Sequence, residues 1–111
     1  MGFLDQIKAI FYSPTEESRL KEAIALARTG SLEPAIRVYD ALVASTNSDI
    51  RASALLNRAL AYSAMDDESQ TQRDLESLLA LADVSATIKT AAREKLARIQ
   101  ARERRTQSQR V

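Results

Sequence analysis

Apolar positions along the chain recur every three or four residues. Leu20, Ala23, Ile24 and Ala27 form one stripe, and Ala35, Ile36, Tyr39, Leu42 and Val43 form a second. Leu56, Ala59, Leu60 and Ser63 follow, then Thr71, Leu75, Leu78 and Leu79, and finally Ala92, Leu96 and Ile99. These are helical periods; a half-buried strand alternates every second residue instead. Punctuation falls between the stripes. Ser13, Pro14 and Glu16 read as a capping box with proline at the first helical position, which predicts a helix from about 14 to 28. Gly30 stops that helix, because glycine enters the left-handed cap at low cost. Ser31 caps a second helix, which tolerates Pro34 in its first turn and ends near Ser45. The run TNSD at 46–49 caps a third helix reaching Met65. Asp66 and Asp67 turn the chain into a fourth, about 68–82, and the run DVS at 83–85 opens a fifth, which reaches about Arg104. Residues 105–111 read as a polar, basic and disordered tail.

The stripes superimpose at a fixed offset. Leu20, Leu56 and Ala92 are each 36 residues apart, as are Ile24, Leu60 and Leu96, and Ala27, Ser63 and Ile99. The second helices obey the same offset: Ala35 with Thr71, Tyr39 with Leu75, Leu42 with Leu78, Val43 with Leu79. One period holding two helices is the signature of a helical-hairpin array.

The runs NRALAY at 57–62 and GSLEPAIRVYDAL at 30–42 carry a family resemblance. The chain resembles tetratricopeptide repeat proteins, whose unit is a helix–turn–helix of about 34 residues. The resemblance implies an all-α fold: a short right-handed α-solenoid of antiparallel helix hairpins, with two degenerate units at about 16–51 and 52–87 and a capping helix at 88–104. An amphipathic N-terminal helix, residues 1–13, would precede this domain of residues 14–104. Ala59 and Ala35 stand where small residues let a hairpin close, and Tyr62 and Tyr39 where aromatics pack inward. The second unit departs from the pattern, with Asp66 in place of the turn glycine and Thr71 in place of the small alanine. Lys95 falls where Ala23 and Ala59 precede it, which suits a terminal helix.

The resemblance also implies a function. First helices of such units line a concave groove that binds a protein or peptide partner, so the chain is expected to be a non-enzymatic scaffold or adaptor. The expected groove residues are Lys21, Ile24, Asn57, Leu60, Lys89 and Arg93, with Arg28 and Tyr62 nearby. Some family members clamp a partner's C-terminal carboxylate from this surface. Asn57, Lys89 and Arg93 match three of the clamp's places, whereas Leu20 and Ile24 occupy two that should be polar.

Composition narrows the chemistry. The 111 residues suffice for one domain, with 45% hydrophobic and 28% charged residues. There is no cysteine and no histidine, which excludes disulfides, Cys/His zinc sites and histidine acid–base catalysis. Two glycines cannot make a glycine-rich phosphate loop. No cofactor, metal or catalytic constellation emerges. The acids at 66–68 are weighed as a cation site and explained as a turn and helix cap. No run approaches the roughly 18 apolar residues of a spanning helix, and the first residues make a poor secretory signal, so a cytoplasmic setting is expected.

Charge is polarised along the chain. Residues 1–83 carry 8 Lys/Arg against 13 Asp/Glu, and residues 84–111 carry 8 against 2. The basic C-terminal helix offers phosphate contacts, but no aromatic is interleaved for base stacking, which argues against nucleic acid as the partner. Its other outlet is the acidic front of a second copy, as in a homodimer. At the opposite end, Phe3, Leu4, Ile7, Ile10 and Phe11 share one helical face, with Asp5, Gln6 and Lys8 on the other. That face has three outlets: the domain itself, a partner's groove, or a membrane surface with residues 2–11 as a peripheral anchor. Since a two-hairpin array leaves apolar ends uncovered, either the N-terminal helix covers the groove or first hairpin, or the protein dimerises.

Overall fold

The structure, a computed structural model, describes residues 15–110. Five helices follow one another: α1 (Glu16–Arg28), α2 (Leu32–Leu42), α3 (Ser48–Ala64), α4 (Glu68–Leu79) and α5 (Ala86–Gln109). There is no strand among the described residues, which are all-α.

Each helix start is explained by its cap. Thr15, rather than Ser13, caps α1, its hydroxyl accepting from the Ser18 amide at 3.1 Å. Glu16 and Glu17 then fill the first turn, where carboxylates oppose the positive end of the helix dipole. Ser13 and Pro14 lie outside the described residues. Asn47 caps α3, Asp67 caps α4 and Ser85 caps α5, each accepting from amides of the first turn. Ser31 stands at the start of α2 without a side-chain cap, and its amide donates back to Leu26 O at the end of α1.

The ends differ more from expectation. Helix α2 stops at Leu42 instead of Ser45 because Ser45 is drawn into the following loop. Its buried hydroxyl donates to Glu16 Oε1 at 2.9 Å and accepts from the Asn47 amide at 3.0 Å, tying that loop to the start of α1. Helix α4 stops at Leu79 and not 82, and Asp83 takes a positive φ of 54° in the turn to α5. Helix α5 runs on to Gln109, so residues 105–109, expected as a disordered tail, continue the helix. Arginine and glutamine are good helix formers, and no glycine or proline interrupts them.

The turns within the two hairpins are copies of each other. At the end of α1, the Ser31 amide donates to Leu26 O (2.9 Å) and the Gly30 amide to Ala27 O (3.1 Å). At the end of α3, 36 residues on, the Asp67 amide donates to Tyr62 O (2.9 Å) and the Asp66 amide to Ser63 O (3.0 Å). Both are Schellman motifs, which need a left-handed residue just past the helix. Gly30 supplies it at φ 88° and Asp66 at φ 60°.

Consecutive helices pack in pairs along the chain. In addition α1 touches α3 and α3 touches α5, whereas α2 and α4 are not in backbone contact. Helix α3 therefore meets all four others, and its small residues make this feasible. Ile50, Ala54 and Ala61 face a core cluster with Ala23, Ala35, Ile36, Tyr39 and Leu42. Ala52, Leu55 and Ala59 face another with Leu75, Leu78, Ala92 and Ile99. Ala54 and Ala59 are fully buried, and larger side chains there would hold the neighbouring helices apart.

Candidate functional site: an apolar cleft on the first helices

Among the described residues Leu60 is 45% exposed, and it projects from the middle of α3, not from a loop. Beside it lies a cleft of about 340 Å³. Ile24 from α1 and Leu60 form its apolar walls, and Ala27, Ala61 and Ala64 keep it open by being small. Leu32 and the buried ring of Tyr39 reach it from α2. Ile24 and Leu60 are the same position in the 36-residue register, brought side by side because α1 and α3 touch.

The polar groups are few. Arg28 and Asn57 are the other lining residues. The Asn57 amide donates to Ser53 O of its own helix at 2.8 Å, which fixes its orientation. Burial pushes the Tyr39 phenol above its ordinary value, so it stays neutral at physiological pH. One cation at the rim and an apolar interior suit an apolar side chain with a polar or acidic flank.

The expected groove residues divide. Ile24, Asn57 and Leu60 line the cleft together, with Arg28. Lys21 is exposed on α1 and does not line it. Lys89, half-buried, and Arg93, exposed, belong to α5 and do not line it either. The three polar places of a carboxylate clamp are thus not gathered in one pocket. Tyr62 is half-buried against the first core cluster and lies outside the lining. Its phenol is also raised, first by burial and then by the negative charge of Asp40. Phe3, Leu4, Ile7, Ile10 and Phe11 lie outside the described residues.

The acids at 66–68 point to separate tasks. Asp66 makes the left-handed turn, Asp67 accepts from the Gln70 amide at 3.1 Å, and Glu68 pairs with Arg102 at 3.2 Å. Residues 102–109 of α5 and its C-cap Arg110 are exposed throughout, including Arg104 and Arg105.

A second polar feature was not foreseen from the sequence. Arg58 of α3 holds Asp74 of α4 with two parallel bonds, Nε to Oδ2 at 2.8 Å and Nη2 to Oδ1 at 2.7 Å. Its remaining nitrogen, Nη1, donates to Asp40 of α2 at 2.9 Å. The Asp74 side chain is 4% exposed and that of Arg58 is 19% exposed. The hydrogen bonds to Asp74 raise the Arg58 pKa further, so the guanidinium is permanently charged. This clamp joins three helices, α2, α3 and α4. Its signal in the sequence is an acid, Asp74, set within the stripe of Thr71, Leu75 and Leu78.

None of the described helices is long and apolar enough to cross a membrane. No family model matches the chain, and neither a curated protein nor a solved structure matches it.

Proposed function

We propose that the chain is a short right-handed α-solenoid of two degenerate tetratricopeptide-type hairpins with α5 as cap, and that it works as a non-enzymatic scaffold. Its groove takes an apolar segment of a protein or peptide partner. The observation that carries this reading is Leu60, exposed beside Ile24 in a cleft floored by alanines. An aliphatic side chain held in water on a rigid helix is stabilised by a partner's apolar surface. The paired turns at a 36-residue offset support the repeat, and so do the contacts of α1 with α3 and α3 with α5.

Arg58 ties α3, which carries the Leu60 wall, to α2 and α4, so a partner meets a largely preformed surface there and loses little affinity to ordering it. Arg28 at the rim selects for an acid flanking the apolar anchor.

Photocrosslinking in cells tests this. A photoreactive residue replacing the exposed Ala64 at the cleft should capture a discrete partner, and one replacing the exposed Ala97 on α5 should not. Leu60→Asp, at an exposed position that leaves the core intact, should abolish the capture. Equal products from both positions, or capture that survives Leu60→Asp, would remove the groove from consideration.

A further inference from the structure

The line of groove positions does not end at α3. We infer that it continues onto α5 as Lys95, Arg98, Arg102 and Arg105, and that the partner is a peptide segment with an apolar anchor for the cleft followed by acidic residues for these cations. This rests on the groove reading above and adds the chemistry of its partner.

The register of α5 carries the inference. On α3 the cap is Asn47, and Ile50, Ala54 and Ala61 pack against residues of the preceding hairpin. On α5 the cap is Ser85, and Ile88, Ala92 and Ile99 pack into the second core cluster. All four pairs of counterparts are 38 residues apart, two more than the offset between the hairpins. A separate contact agrees. Leu32 of α2 and Ala64 of α3 line the apolar cleft. Glu68, 36 residues after Leu32, and Arg102, 38 after Ala64, pair at 3.2 Å and line a polar cleft of about 430 Å³. At the same spacing, Asn57 and Leu60 of the apolar cleft correspond to Lys95 and Arg98.

Arg105 follows Arg102 by one turn. At about 100° per residue the four cations fall within an arc of about 80° and rise about 15 Å along the helix. Lys95 is half-buried and the three arginines are exposed. Arg102 keeps 57% of its side chain exposed although it is paired with Glu68. Among the described residues Lys95, Arg98 and Arg105 form no ion pair. Of the two acids of α5, Glu103 points elsewhere and Glu94 stands at the edge of the arc. The groove thus passes from apolar walls on α1 and α3 to cations on α5.

That change of chemistry selects the partner. Guanidinium groups hold carboxylates with paired, charge-assisted hydrogen bonds. Packed helices lie about 8–10 Å apart and an extended peptide advances about 3.3 Å per residue, so the acids should begin about three or four residues from the anchor. A nucleic acid fits less well. It has no apolar side chain for the cleft beside Leu60, and α5 carries no aromatic residue on which a base could stack.

Selection of a random, phage-displayed peptide library on the full chain tests this. Enriched peptides should share an apolar residue with acidic residues to one side at that spacing. Arg98→Gln combined with Arg105→Gln alters two exposed positions and should weaken an enriched synthetic peptide about fivefold, as the loss of two exposed ion pairs. Leu60→Asp should abolish its binding. Arg104→Gln combined with Arg110→Gln removes the same charge outside the arc and should leave the affinity unchanged. Equal losses from the two double variants would reduce the effect to general attraction and overturn the inference. Enriched peptides that need Leu60 but carry no acids would leave the groove standing and overturn the inference alone. A selection that yields no peptide dependent on Leu60 would remove both. A DNA duplex held through Arg98 and Arg105, with acids absent from the selected peptides, would assign the arginines to phosphate and overturn the inference equally.

Discussion

The two hairpins share a backbone and differ in chemistry. In the first, the turn is made by Gly30, the close contact by Ala35 and the next inward position by Val38. In the second, 36 residues on, these places belong to Asp66, Thr71 and Asp74. Every step exchanges an apolar or permissive residue for a polar one, yet the turn bonds are the same and α2 and α4 start at corresponding positions. The second hairpin keeps the fold by satisfying each polar group it introduces. Thr71 donates to Asp67 O at 2.8 Å and lies 3.3 Å from Ala59 O, and Asp74 is held by Arg58. Such a hairpin depends on its partners, and the comparison can be broken by removing them.

The largest effect is expected at Arg58. Arg58→Met keeps the aliphatic stem but leaves the buried Asp74 carboxylate without its cation. Removing one member of a buried pair costs about 3–5 kcal/mol, and the partial exposure of Arg58 places this site near the lower end, about 3 kcal/mol. For a domain of this size the Tm should fall by more than about 10 °C in a thermal melt. The double variant Arg58→Met, Asp74→Leu makes the second hairpin apolar like the first and should recover most of the loss. If the double variant is no better than the single one, the clamp acts through packing and the comparison fails.

Gly30→Ala comes next. A Cβ at Gly30 would meet nothing within 4 Å, so the cost is confined to the backbone at φ 88°. A left-handed residue with a side chain costs about 1–2 kcal/mol, and chemical denaturation should report a loss of that order. A neutral result would mean that the first turn relaxes into another geometry, and that the two turns are less alike than their hydrogen bonds indicate.

These contrasts also bound what was legible in the sequence. The helices, their stripes and the 36-residue offset could be read because apolar periodicity reports burial directly. Ile24 and Leu60 could be placed on one surface for the same reason, since they are the same position of the offset on α1 and α3. Lys89 and Arg93 stand on α5, away from the cleft that α1 and α3 line, and the start of α5 departs from the offset as well. The position 36 after the cap Asn47 is Asp83, which takes a positive φ, and capping passes to Ser85. Arg58 and Asp74 were missed because a side-chain pair between two helices depends on their rotation about their axes. Periodicity constrains that rotation for stripes and leaves long polar side chains unassigned. The end of α5 was missed because polarity was read as disorder, although arginine and glutamine favour helix.

Thr71 sharpens the comparison at a smaller scale. Thr71→Val removes the hydroxyl and keeps the shape, leaving Asp67 O and Ala59 O to their backbone partners. Loss of a buried hydrogen bond of this kind costs about 1 kcal/mol, measurable as a shift of the urea midpoint with an unchanged slope. The matching change in the first hairpin, Ala35→Thr, places a hydroxyl at a fully buried position and should cost more than Thr71→Val, because the first turn was not built around it.

The smallest expected effect has the opposite sign. Asp66 takes φ 60° where Gly30 serves in the other hairpin, and its side chain is exposed. Aspartate tolerates the left-handed region better than most residues, so the strain to be relieved is modest. Glycine also adds freedom to the unfolded chain, which opposes the gain. Asp66→Gly should therefore stabilise the protein by only about 0.5 kcal/mol, whereas Asp66→Ala, which keeps a Cβ and loses the tolerant carboxylate, should destabilise it. The pair of variants decides between two explanations of Asp66. If glycine stabilises and alanine destabilises, the residue is held left-handed by the Schellman bonds of Asp66 and Asp67, and the second turn is the first one under strain. If both variants destabilise equally, the carboxylate itself holds the turn, and the two hairpins reach one backbone by different means.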